Sequence, residues 1–170
     1  MEQFQPKAIT QEGIERALAK VERYRLLNEP WAAESICLDI LRVEPNHQEA
    51  LVQMIFAITD QFGGGEAGAD VARAQALLSR VSSDYQRAYC AGIICERRAK
   101  ALLLGHARGT GPAVYDWLRE AMHHFEAAER LRQPGNDDAL LRWNTCVRLM
   151  ARYPKVQPAG EEERRPVELE

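Results

Sequence analysis

Between Asn28 and Pro45 the chain holds a turn, a helix and a stop, and no other stretch limits the fold as much. Pro30 stands where a first helical turn accepts proline, because its missing N–H would have no partner there. Pro45 cannot continue a helix. Between them Trp31, Ala33, Ile36, Cys37, Ile40 and Leu41 recur at three- and four-residue spacing, the single stripe of an amphipathic helix. A chain made of such units must bury stripe against stripe, so it packs helix on helix.

The same period runs through most of the remaining sequence. It predicts helix 1 over 10–27 (Ile14, Ala17, Leu18, Val21, Tyr24 and Leu27 inward) and helix 2 over 30–43. Helix 3 follows Asn46 and runs to 62, with Leu51, Met54, Ile55, Ile58 and Phe62 inward. Three consecutive glycines from Gly63 end it, since glycine is costly in a helix interior. Helix 4 covers 68–81 and helix 5 covers 85–104, with Ser82-Ser83-Asp84 as break and cap. A loop from Gly105 to Pro112 precedes helix 6, which ends at 131; helix 7, capped by Asp137, ends at 152. Alternating β-branched runs do not occur, so the expectation is all-α. Residues 1–9 read as an N-terminal extension, 10–153 as one helical domain and 154–170 as a charged, disordered tail.

The chain has 170 residues and a net charge of −3, with 46% hydrophobic residues, an ordinary balance for one cored domain. The charge is uneven: −6 over 1–70, +5 over 71–110 and −2 over 111–170. An acidic first third argues against nucleic acid as the partner. No apolar run approaches the ~20 residues that span a bilayer, and the N-terminus lacks a signal-peptide pattern. A cytoplasmic protein without membrane attachment is expected. Cys37, Cys90, Cys95 and Cys146 sit in apolar helical patterns without a Cys-x-x-Cys pair, and read as buried free thiols.

The second helix of a tetratricopeptide repeat places small, large and small residues four and three apart, with proline five further on. Ala33, Cys37, Ile40 and Pro45 follow this pattern, and Ala121, Phe125 and Ala128 repeat it with Pro134 one residue late. The chain therefore resembles the tetratricopeptide repeat family over 10–152. Tyr24 and Gly92 stand as remnants of that family's first-helix pattern. Ala72 and Ser79 fit the middle unit poorly, and the spacings of 39 and 49 residues from Ala33 to Ala72 to Ala121 exceed the family's period of about 34. The resemblance implies a right-handed superhelical stack of about three antiparallel helix pairs plus a C-terminal capping helix. It also implies a non-catalytic scaffold or adaptor that binds a protein or peptide on the concave face of helices 1, 3 and 5.

On that face Met54, Gln86, Tyr89, Ile93 and Arg97 are the candidate partner-binding residues, a partly basic groove suited to an acidic segment. Replacing Arg97 by Glu is expected to weaken binding and leave the fold intact. Leu18 and Glu22 occupy the positions where some family members clamp a C-terminal carboxylate, and neither side chain can do so. The outer face of helix 7, with Trp143, Arg142, Arg148 and Arg152, is a candidate surface for a homodimer. The adjacent His123 and His124 point about 100° apart, which does not suit one metal. The glycine-rich loops lack the Gly-Lys-Ser/Thr end of a phosphate loop. No catalytic residue, metal or cofactor is assigned. An RNA-binding helical repeat and an enzyme with an unrecognised pocket stand as alternatives.

Overall fold

The computed structural model describes residues 4–63, 67–105 and 109–160. Among these residues a 3-10 turn, Gln11–Gly13, leads into seven α-helices and no strand. The helices are α1 (Ile14–Leu26), α2 (Pro30–Val43), α3 (Gln48–Thr59), α4 (Ala67–Leu78), α5 (Asp84–Leu104), α6 (Gly111–Leu131) and α7 (Asp138–Arg152). Helix 2 keeps its predicted bounds because a proline fixes each end. Helices 1, 3 and 4 are shorter than predicted.

Local chemistry sets the breaks. Asn28 takes the left-handed conformation at φ 59°, which asparagine tolerates better than most residues. This lets the N–H groups of Asn28 and Glu29 return to the Arg25 and Tyr24 carbonyls at 3.0 and 2.9 Å and close the α1 C-terminus. The Ser83 hydroxyl accepts from the Gln86 N–H to start α5, as its sequence position predicts. At α3 the cap is the imidazole of His47, which accepts from the Ala50 N–H. Neither Thr10 nor Asp137 makes a side-chain cap bond. Asp137 turns to Arg132, and the Asn136 side-chain Oδ1 accepts the Asp138 N–H at 3.1 Å instead.

Each helix packs on its neighbour in sequence, most extensively α5 on α6, and α3 also touches α1 and α5. A hydrogen-bonded ion pair, Arg142 to Glu96, joins α7 to α5. Helices α1, α3 and α5 therefore lie side by side, and α7 reaches α5 through this ion pair. Two apolar clusters fill the interior. Ile14, Val21, Cys37, Ile40, Leu51, Ile55 and Ile58 centre the first, and Ile93, Val114, Leu118, Phe125 and Cys146 the second. Phe56 and Trp117 touch both clusters, so the core is continuous. Gly92 permits the close α5–α6 approach, since a Cβ there would lie 2.5 Å from the Phe125 ring.

The boundaries of the packed region are wider than the sequence suggested. Ile9 packs against the first cluster, and the Pro6 carbonyl accepts a bond from Arg42 at 3.1 Å. Val156, expected in a free tail, is buried in the second cluster, and the Lys155 carbonyl lies against Gly111. Residues 161–170 of the tail, together with Gly64, Gly65 and His106 of the glycine loops, lie outside the described residues.

All four thiols are free and buried, and burial pushes each up to about 12 from 9.0. The folded state holds these protons more tightly than the unfolded chain does. Their contribution to stability is thus complete below about pH 9 and is lost as the pH rises toward 12. Melting temperature should fall steadily across that window, and an aromatic disulfide reagent at pH 8 should label the thiols only after denaturant is added. Rapid labelling of the folded chain would contradict this burial.

Candidate functional site

The surface of α3 toward its odd-numbered neighbours is the stripe Glu49, Gln53, Phe56 and Asp60, spaced by four, three and four. Facing it are Leu18, Glu22 and Arg25 of α1 and Tyr89, Arg97 and Lys100 of α5, with Arg142 arriving from α7. Asp60 is the hub. One carboxylate oxygen accepts Arg25 Nε at 2.8 Å and the other pairs with Arg97. Arg25 also donates to the Gln53 side-chain carbonyl at 3.0 Å, and its guanidinium lies 5.0 Å above the Phe56 ring. Arg97 donates to the Thr59 hydroxyl at 3.0 Å and the Phe56 carbonyl at 3.2 Å.

A second carboxylate, Glu96, is fully buried. Its Oε1 receives Lys100 and, at 3.5 Å, Arg142. Four cations thus share two carboxylates across α1, α3, α5 and α7. Burial lowers Arg97 to about 10, and the charges of Arg25 and Arg142 push it the same way. Burial also lowers Arg25. For Arg142 burial opposes the charge, but Glu96 and the Tyr89 hydroxyl outweigh it and hold the guanidinium above its ordinary value. All three remain cationic at neutral pH.

An aromatic row runs through this charge cluster. Phe56 meets Tyr89 edge-on at 6.5 Å, and Tyr89 stacks on Tyr85 at 6.0 Å. A cleft of about 680 Å³ opens beside Tyr85, lined also by Ser83, Gln86, Gln133 and Asn136. On the other flank, Glu15, Glu22, Glu49 and Gln53 line a cleft of about 290 Å³ between α1 and α3. The face is therefore two-signed: acidic over α1 and α3, basic where α5 meets α7.

Of the five residues chosen from sequence, Gln86, Tyr89 and Arg97 lie on this face. Met54 and Ile93 do not present themselves to a partner: they are 6% and 1% exposed and belong to the core clusters. Their helical phase points inward, and the outward phase of α3 is the Glu49–Gln53–Phe56–Asp60 stripe that sequence reasoning passed over. Arg97 is corrected in role. It is tied to Asp60 and Thr59, so a Glu at 97 would face Asp60 and unsettle the fold as well as any binding. Asp60 and Arg25 went unnoticed because their partners lie far along the chain; Glu96, which the sequence places on the same side of helix 5 as Arg97, is buried under Lys100 and Arg142. The outer-face group on α7 is also spoken for in part: Arg142 turns to Glu96, and Trp143 Nε1 donates to Glu126 of α6 at 3.0 Å.

Exposed His123 and half-buried His124 have ring centres 6.0 Å apart, and His124 pairs with Glu120 at 3.3 Å. Among the described residues no three metal-ligating side chains cluster, and no helix is long and apolar enough to cross a membrane. No family model, curated protein or solved structure matches the chain.

Proposed function

We propose that this protein is a non-catalytic protein–protein interaction module that docks an extended partner segment across α1, α3 and α5. It would do so as a tetratricopeptide-like stack with α7 as its cap. The helix order and the side-by-side odd helices support that architecture, since odd helices that touch one another line the inside of such a stack. The observation that carries the function is the surplus of cations around Tyr89 and Phe56, set between two clefts. Lys100 and Arg142 each keep 35% of the side chain exposed, so they can meet a partner carboxylate while held in place by Glu96. Tyr85 and Tyr89, stacked with their rings 14° apart, supply an aromatic platform, and the amides of Gln86, Gln133 and Asn136 suit an extended main chain. The Glu15–Glu22–Glu49 cleft adds a preference for a basic residue at the other end of the segment.

Selection from a random displayed-peptide library tests this. Wild type should enrich segments with acidic residues, and basic ones some distance away, bound more weakly as salt rises. Arg142→Gln should lose them by tenfold or more, about 1.4 kcal/mol, and should lower melting as well, because buried Glu96 then keeps Lys100 alone. Selected segments without acidic residues, or equal affinity for the variant, would remove this face as the site.

A further inference from the structure

The outward stripe of α2 is unusual for an exposed helix. Trp31, which the sequence periodicity placed in the inward stripe, is 74% exposed and Leu38 54%, and they share the outward stripe with exposed Ser35 and Arg42. The buried side of α2, with Ala33, Cys37 and Ile40, lies opposite. No described residue covers the two large apolar side chains. The spacing of the stripe is four, three and four, which reads the same in both directions. Laid antiparallel on its own copy with a two-fold axis between Ile36 and Cys37, the helix brings Trp31 level with Arg42 and Ser35 level with Leu38, each twice over.

Both pairings are complementary. A guanidinium over an indole face is the best of the side-chain cation–π pairs, and the bond that Arg42 donates to the Pro6 carbonyl uses its edge and leaves the flat face for an indole. A leucine opposite a serine is a large side chain over a small one, the arrangement that lets two helices approach. An isologous two-fold contact needs this self-matching, because each residue type must find its counterpart on an identical surface. We propose that α2 is a homodimer surface, with a second copy of this chain as its occupant, paired antiparallel about Ser35 and Leu38. The contact is independent of the α1–α3–α5 face, which lies on other helices and stays open in the dimer. A single helix stripe is small beside standard interfaces of about 1,600 Å², so the dimer is a weak, concentration-dependent one.

Sedimentation equilibrium of the full chain from micromolar to millimolar concentration tests it. The expected result is a monomer–dimer equilibrium that Leu38→Asp weakens by tenfold or more and Arg42→Glu weakens as well, with far-UV ellipticity unchanged in both. Register is tested separately, and the burial of the native thiols leaves introduced cysteines as the reactive ones. Mixed Ser35→Cys and Leu38→Cys chains should form the 35-to-38 disulfide across copies faster than either chain links to itself. A wild type that stays monomeric throughout would overturn the proposal. So would open polymers in place of a closed dimer, a dimer indifferent to Leu38→Asp, or crosslinking without the 35-to-38 preference.

Discussion

Replacing Gly92 by alanine should destabilise the protein by about 2 kcal/mol, against the usual sign for that change in a helix. In an exposed helix interior Gly→Ala stabilises by up to about 1 kcal/mol, because glycine has more backbone freedom to lose. Here the added Cβ would stand 2.5 to 2.9 Å from three atoms of the Phe125 ring. That ring is fully buried, with the Tyr89 ring centre 5.9 Å away, so it has little room to retreat. Forcing a methyl group into a packed core costs about 1–3 kcal/mol, and it falls on the most extensive helix pair of the fold. Urea denaturation of the single variant and of Gly92→Ala/Phe125→Leu measures the effect. The double variant should lose less than the two single losses combined, because the smaller side chain relieves the clash. A stabilised Gly92→Ala protein would mean that α5 and α6 sit further apart than described.

Removing the Asp60 carboxylate should have an effect of similar size by a different route. Asp60→Ala leaves Arg25 and Arg97 facing each other without the anion between them, at side-chain exposures of 18% and 20%. A fully buried pair broken on one side costs about 3–5 kcal/mol, and an exposed one at most about 1 kcal/mol. The intermediate burial places the loss near 2 kcal/mol. Arg97 already holds its charge less firmly than an ordinary arginine, with Arg25 adding to the effect of burial, so the loss of the shared counter-ion falls on a strained cation. Further replacing Arg97 by methionine should recover part of the stability, since the unpaired charge is then removed along with its partner. A change below about 0.5 kcal/mol for Asp60→Ala, the range of ordinary surface substitutions, would show that solvent screens this pair.

The two effects differ in how visible they were beforehand. Gly92 stood out in sequence as a glycine within a long helical pattern, and helix 5 kept its predicted end at Leu104 and began one residue earlier than expected. Helix 2 was legible because prolines bracket it. The all-helical class followed from the 3.6-residue period alone. The site was less legible, for a reason in the same periodicity. A helix has an inward and an outward phase, and the apolar one is the easier to see; Met54 and Ile93 belong to it, so they lie in the core and not at the surface. The outward phase of α3 mixes Glu49, Gln53, Phe56 and Asp60, which by composition looks like any solvated face. Its meaning comes from Arg25, 35 residues earlier, and from Arg97 on α5. Pairings at that separation depend on which helices become neighbours. Val156 was missed likewise: one apolar residue in a polar segment has no period, and only the approach of Gly111 to Lys155 gives it a place to bury.

In the function proposed here, helices α1, α3 and α5, with Arg142 of α7, form one binding face, two-signed along its length. The most direct test is to titrate an isotope-labelled full chain with an acidic segment from the peptide selection and follow its amide and side-chain resonances. Shifts should concentrate on Gln53, Tyr89, Lys100 and Arg142 and their neighbours on α3, α5 and α7, while the exposed positions of α2 and α6 stay still. Shifts gathered on α2 or α6, with Tyr89 and Arg142 unmoved, would contradict it.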